Sequence, residues 1–197
     1  WVDSTGKLPG LKERQARTAA SPRYGSVVTD SLMMTSRDGL TFKRWGEAII
    51  RPGPARKNSW TYGDNLISWG ILPTRSDLPQ APDELSIYAI EGYWNGNSQN
   101  FRRYSIRVDG FVSVQAPLSG GEFTTKPLVF EGKQLEINYS TSAAGSLHVE
   151  IQDEKGKPIA GHGLDDCFEV FGDEIDRVVT WKGTPGVGQL SGKPVRL

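Results

Sequence analysis

Along most of the chain, apolar and polar positions follow a period of two rather than 3.6, which predicts strands. The stretch "SVVTDSLMMTS", beginning at Ser26, is an apolar, β-branched run. Asp38-Gly39 then gives a hairpin signal, because glycine accepts positive φ and aspartate tolerates a tight turn. "LTFKRW" places Leu40, Phe42 and Arg44 on one face and Thr41, Lys43 and Trp45 on the other. The Pro-Gly stretch "EAIIRPGPARKNSW" is a connection. Residues 62–116 read as a four-stranded antiparallel meander. Its strands are "NLISWGIL", "ELSIYAIEG", "FRRYSIRV" and "GFVSVQA", the last two joined through Asp109-Gly110. A four-stranded meander is the pattern of one propeller blade, and residues 27–45 match the outer two strands of a preceding blade.

The texture changes near residues 118–121. From Glu122 onward, "GEFTTKPLVF", "KQLEINYS", "GSLHVEIQD", "EKGKPI", "DRVVTWKG" and "KPVRL" follow one another with regular turns between them. "QLEINYS" and "LHVEIQD" alternate as strands with one wet face do, which is a β-sandwich pattern. The expected organisation is all-β: an irregular segment over 1–26, a partial β-propeller over 27–118 and an antiparallel β-sandwich over 119–197. Residues 11–20, "LKERQARTAA", have helix formers but few apolar positions, so they predict an exposed loop with at most one helical turn. "GKPVRL" reads as the start of a strand with no visible partner after it, which leaves a sandwich edge open. A propeller needs about four blades or more. Both observations lead to the expectation that the chain is a piece of a longer protein.

Composition narrows the function classes. The formal net charge is +0, so no basic field holds nucleic acid phosphates and no polybasic block suggests anionic lipid. Nothing approaches the roughly 18 consecutive apolar residues of a membrane span. The expectation is therefore no nucleic acid and no membrane as partner. The single cysteine, Cys167, excludes an internal disulfide framework, and the two histidines, His148 and His162, leave little for a histidine-rich metal site. Phosphate-binding glycine motifs are missing, and neither a cofactor nor a metal is expected. The six tryptophans fit either core packing or exposed rings that stack on sugars.

Eight stretches in order, "LMMTSRDGLTFKRW", "YGDNLISWGIL", "RVDGFVSVQA", "TTKPLVFEGKQLEINYS", "LHVEIQDEKGKPIAG", "LDDCFEV", "VTWKG" and "GKPVRL", carry a family likeness. They resemble the C-terminal part of bacterial glycoside-hydrolase-like proteins of the five-bladed β-propeller superfamily, related to families 32 and 43, with a C-terminal β-sandwich. The resemblance covers the chain from Val27 to its end. It implies an exported protein, secreted or periplasmic, that acts on carbohydrate, together with further blades of the same protein before Trp1 and one more strand after Leu197. It also implies that the catalytic carboxylates lie mostly on blades outside this chain.

Glycoside hydrolysis needs two carboxyl groups about 5–10 Å apart. Residues just before the first strand of a blade sit at the channel mouth, and "YGDN" occupies that place. Asp64 is therefore the candidate catalytic or sugar-contacting carboxylate; the alternative is that it hydrogen-bonds loop amides. Tyr62 and Asn65 accompany it. Glu91 shares a strand face with Ala89 and Tyr93, and either contacts substrate or pairs with Arg102 or Arg103. Trp60, Tyr93 and Trp94 offer flat rings for the apolar face of a sugar, with Asn and Asp neighbours for its hydroxyls; the alternative is loop anchoring. In "HGLDDCFEV", His162, Asp165, Asp166 and Glu169 lack the ligand spacing of a calcium loop. Cys167 beside a histidine could suggest a nucleophile. The plainer reading is turn-capping aspartates and a buried, inert thiol. Three roles stay open: part of a glycosidase, a carbohydrate-binding protein on the same scaffold, or a structural module.

Overall fold

The computed structural model describes residues 29–54, 65–93, 100–184 and 186–197, together with Lys12, Gln15 and Ala19. The fold is all-β, built from several small antiparallel sheets, with no closed barrel among the described residues. Lys12, Gln15 and Ala19 are exposed helical positions, where the sequence predicts a loop with at most one turn. The chain forms two compact units, Trp1–Ile106 and Arg107–Leu197.

In the first unit, β1 (Ser31–Ser36) and β2 (Phe42–Ile50) pair antiparallel, with Ser36 opposite Phe42. The Asp38-Gly39 turn closes this hairpin as its sequence predicts. The Asp38 carboxylate accepts the backbone N–H groups of Leu40 at 2.9 Å and Thr41 at 2.7 Å, and the Ser36 hydroxyl at 2.8 Å. Alternation holds along β2. Trp45 Nε1 donates to Thr35 Oγ1 at 3.0 Å, and Lys43 Nζ lies 4.3 Å above the Trp45 ring, so these three side chains share a face.

The second sheet of this unit contains β3 (Leu66–Ile67), β4 (Leu72–Thr74), β5 (Glu84–Glu91) and β6 (Asn100–Arg107), with β5 pairing all three others. The single first strand expected over "NLISWGIL" is interrupted. Leu66 pairs with Ile90 and Ile67 with Ala89, whereas Leu72 pairs with Ser86 and Thr74 with Glu84. Ser68 to Ile71 therefore face only Ile87 and Tyr88, so the line bulges at Trp69-Gly70. Gly70 takes φ 95°, which a residue with a Cβ rarely adopts.

The fourth strand expected over "GFVSVQA" does not form. Val108 to Phe111 make a turn, and the next residues have no ladder partner. Its apolar positions gain nothing from alternation, because Val112 and Val114 are exposed. The two Asp-Gly units thus differ: Asp38-Gly39 closes a hairpin, and Asp109-Gly110 turns the chain out of β6.

One face of β5 supplies Ile87 and Ala89 to a small core with Ile50, against which Ile49 and Tyr104 pack. On the opposite face the buried Ser86 hydroxyl accepts Arg103 Nε at 2.7 Å. Arg103 also reaches Asp77 at 2.9 Å, Thr74 Oγ1 at 3.1 Å, the Arg75 carbonyl at 3.2 Å, and Glu84. One guanidinium thereby joins β4, β5, β6 and the loop that follows β4.

Among the described residues the second unit holds the larger core. Its ladders are β7 (Leu128–Val129) with β10 (Pro194–Val195), and β8 (Leu135–Ser140) with β9 (Asp173–Val179). Single bridges replace several expected strands: Leu147 with Val170, Gln152 with Pro158 and with Arg196, and Cys167 with Trp181. Ile151, Cys167, Val179, Trp181, Val187, Leu190 and Val195 form the buried cluster. Trp181 Nε1 donates to the Val149 carbonyl at 2.9 Å, so its one polar group is satisfied inside. "KPVRL" pairs with earlier segments of the chain. Val195 pairs with Leu128 and Arg196 with Gln152, and the Leu197 carbonyl accepts Thr125 N–H at 2.8 Å.

Candidate functional site

Of the residues singled out in the sequence, Trp60, Tyr62, Asp64 and Trp94 lie outside the described residues. Asn65, Glu91 and Tyr93 can be placed. Leu66 pairs with Ile90, so Asn65 and Glu91 stand one step further along, at the same end of the β3–β5 ladder. Tyr93 follows Glu91 there and is half-buried.

Asn65 is 3% exposed and takes φ 59°, a left-handed conformation that asparagine tolerates better than most residues. Its carbonyl accepts the Ser31 hydroxyl, and its side-chain amide donates to the Thr29 carbonyl at 3.4 Å. Both bonds tie the entry of β3 to the entry of β1. This burial gives Asn65 a holding role at the sheet end.

The Glu91 carboxylate accepts Arg102 Nε at 2.7 Å and the Tyr104 hydroxyl. Strand alternation explains the trio, since Arg102 and Tyr104 share the face of β6 that meets Glu91. The sequence raised the Arg102 pair as an alternative. It missed Tyr104, although the Arg102-x-Tyr104 spacing carries that signal. The bond and charge of Glu91 raise the Arg102 guanidinium further above its ordinary value. The Glu91 side chain keeps 20% exposure, so it can still meet solvent. Chemically, this end of the sheet offers an oriented carboxylate acceptor beside a phenol and a guanidinium.

In the second unit, His162 is fully buried, with Nε2 3.4 Å from the Gly186 carbonyl and Nδ1 3.4 Å from that of Ala160. Its ring tilts against Trp181 at 5.1 Å. Asp166 accepts the Gly163 N–H at 3.4 Å, a turn-capping bond, and Asp165 and Glu169 are exposed. Cys167 is 4% exposed, and burial pushes its thiol up, away from the thiolate that nucleophilic chemistry needs. Among the described residues, no three His, Cys, Asp or Glu side chains gather as metal ligands.

Comparison with models of known protein families, with curated proteins and with solved structures gives no match.

Proposed function

We propose that this chain is the C-terminal part of an exported, glycoside-hydrolase-like carbohydrate-active protein, with its catalytic carboxylates mostly on other blades of the same protein. On this reading the first unit belongs to a β-propeller and the second is a β-sandwich. The observation that carries it is the Glu91 carboxylate at one end of the β5 sheet, which accepts the Tyr104 hydroxyl and stays partly open to solvent, with Tyr93 two residues on in the sequence. An acceptor carboxylate beside aromatic residues is the combination that sugar hydroxyls and sugar C–H faces require.

A second reading, a non-catalytic binding or structural protein, is favoured by the ties on Glu91 and the burial of Asn65. Affinity electrophoresis of the chain through gels containing neutral or acidic polysaccharides tests both. Retardation by at least one polysaccharide, reduced in Glu91→Gln and Trp94→Ala, is expected. No retardation by any of them would remove the carbohydrate reading and leave the structural one. On this reading the chain alone should show no glycosidase turnover, because the catalytic carboxylates lie mostly on other blades and hydrolysis needs two around one sugar. Turnover that disappears in Asp64→Asn would overturn that expectation.

A further inference from the structure

The chain carries two Asp-Gly pairs, Asp38-Gly39 and Asp109-Gly110, and the fold treats their carboxyl groups differently. Aspartate before glycine is open to a slow rearrangement of the backbone. The glycine amide nitrogen attacks Cγ of the protonated aspartate carboxyl and an N–Cγ bond forms. Water leaves, made from the carboxyl hydroxyl and the amide proton, and a five-membered succinimide remains. Water then adds to one of its two carbonyl carbons, and the C–N bond there breaks. Opening at the backbone carbonyl of the aspartate leaves the chain running through the side-chain carbons, as isoaspartate. Composition and oxidation state are unchanged overall, and water is the only co-reactant. Glycine permits the attack best, because no Cβ shields its nitrogen.

The two nucleophiles are matched. Gly39 N–H donates to Ser36 Oγ at 2.9 Å, and Gly110 N–H donates to the Arg107 carbonyl at 3.0 Å. The two electrophiles are not. Thr41 N–H, Leu40 N–H and the Ser36 hydroxyl all donate to the Asp38 carboxylate, which fixes it in place and keeps it ionised. A carboxylate held in that way resists attack, because it lacks the hydroxyl that must leave and cannot turn toward the next nitrogen. Asp109 is exposed, and among the described residues no hydrogen bond holds its carboxyl group. Its backbone sits at φ 57°, a left-handed conformation that a residue with a Cβ adopts at a cost. The extra backbone carbon of isoaspartate frees the turn from that constraint.

We propose that Asp109 is a site of spontaneous isoaspartate formation in the folded chain, and that the Asp38 turn is protected by its own hydrogen bonds. The proposal is independent of the carbohydrate reading. The change lengthens the backbone at the turn that leaves β6, next to the Val108 carbonyl bonded to Asn138 and the Arg107 guanidinium bonded to the Glu174 carbonyl.

The test incubates the folded full chain at pH 5 and body temperature, in buffer and in concentrated urea. Mass does not change, so each Asp-Gly peptide is read by fragment ions that distinguish isoaspartate from aspartate. In buffer, isoaspartate should accumulate at Asp109 several-fold faster than at Asp38. In urea the two rates should converge, chiefly because Asp38 speeds up once its bonds are lost. No isoaspartate at Asp109 in buffer, or equal rates at the two sites there, would overturn the proposal. A difference that persists undiminished in urea would also overturn it, since flanking sequence and not the fold would then set the rates.

Discussion

At the scale of single residues, Asp38 shows how a turn uses a charge. The backbone N–H groups of Thr41 and Leu40, and then the Ser36 hydroxyl, hold its carboxyl well below the usual range. The folded pKa lies under the unfolded value of about 3.9. The ionised form therefore supports the turn in full above that value, and the support is lost as pH falls through the folded pKa. Hydrogen exchange of the Leu40 and Thr41 amides, followed from pH 6 to pH 2, should speed up relative to other hairpin amides only at the acid end, after correction for intrinsic rates. In Asp38→Ala the excess should be present at every pH; a flat wild-type profile would show that the charge has no part in the turn. Residue chemistry of this kind was legible in the sequence, since Asp-Gly after a β-branched run signals a turn. The roles of Asn65 and Glu91 were less legible, because burial and ladder register are set by the rest of the sheet and not by their neighbours in the chain.

At the scale of elements, local pattern located strands but misjudged their lengths and one partnership. "NLISWGIL" alternates well enough for one strand, yet Gly70 at φ 95° bulges the line. "FVSVQA" alternates too, but the turn before it is engaged elsewhere within the second unit. Asn138 Nδ2 donates to the Val108 carbonyl at 2.7 Å, and Arg107 reaches the Glu174 carbonyl at 3.0 Å. Periodicity says which side chains share a face and nothing about whether a partner waits opposite. The two Asp-Gly glycines should respond differently to alanine. At Gly39 there is open space and φ is 73°, so only backbone strain of about 1 kcal/mol applies. At Gly110 a Cβ would press on Arg107 Cγ and stand 3.0 Å from the Arg107 carbonyl oxygen. Gly110→Ala should cost about 1–3 kcal/mol by overpacking and loosen the Arg107 contacts. Urea midpoints of the two variants check this, and equal losses would contradict the steric account.

At the scale of the whole molecule, two compact units divide the chain, and among the described residues the second has the larger hydrophobic cluster. It includes Trp181, 2% exposed and hydrogen-bonded through Nε1. Trp181→Ala should cost that unit about 3–5 kcal/mol. Chemical denaturation followed by NMR should show the amides of β8 and β9 melting earlier while those of β1 and β2 keep their midpoint. A matched shift in both would mean that the two units melt as one. The all-β class was readable from the sequence because alternation and turn residues agree over most of its length. The narrow ladders of the second unit were not, because hydrogen bonds between distant single residues, such as Gln152 with Arg196, leave no periodic trace. The Arg103 guanidinium in the first unit has a consequence for descent. Thr74, Asp77, Glu84 and Ser86 all spend polar atoms on it, three of them in part-buried bonds. A lineage that loses the arginine leaves Glu84, whose side chain is only 19% exposed, without this cation, so the part-buried Thr74, Glu84 and Ser86 are expected to change with Arg103, and the 88% exposed Asp77 is free to vary alone.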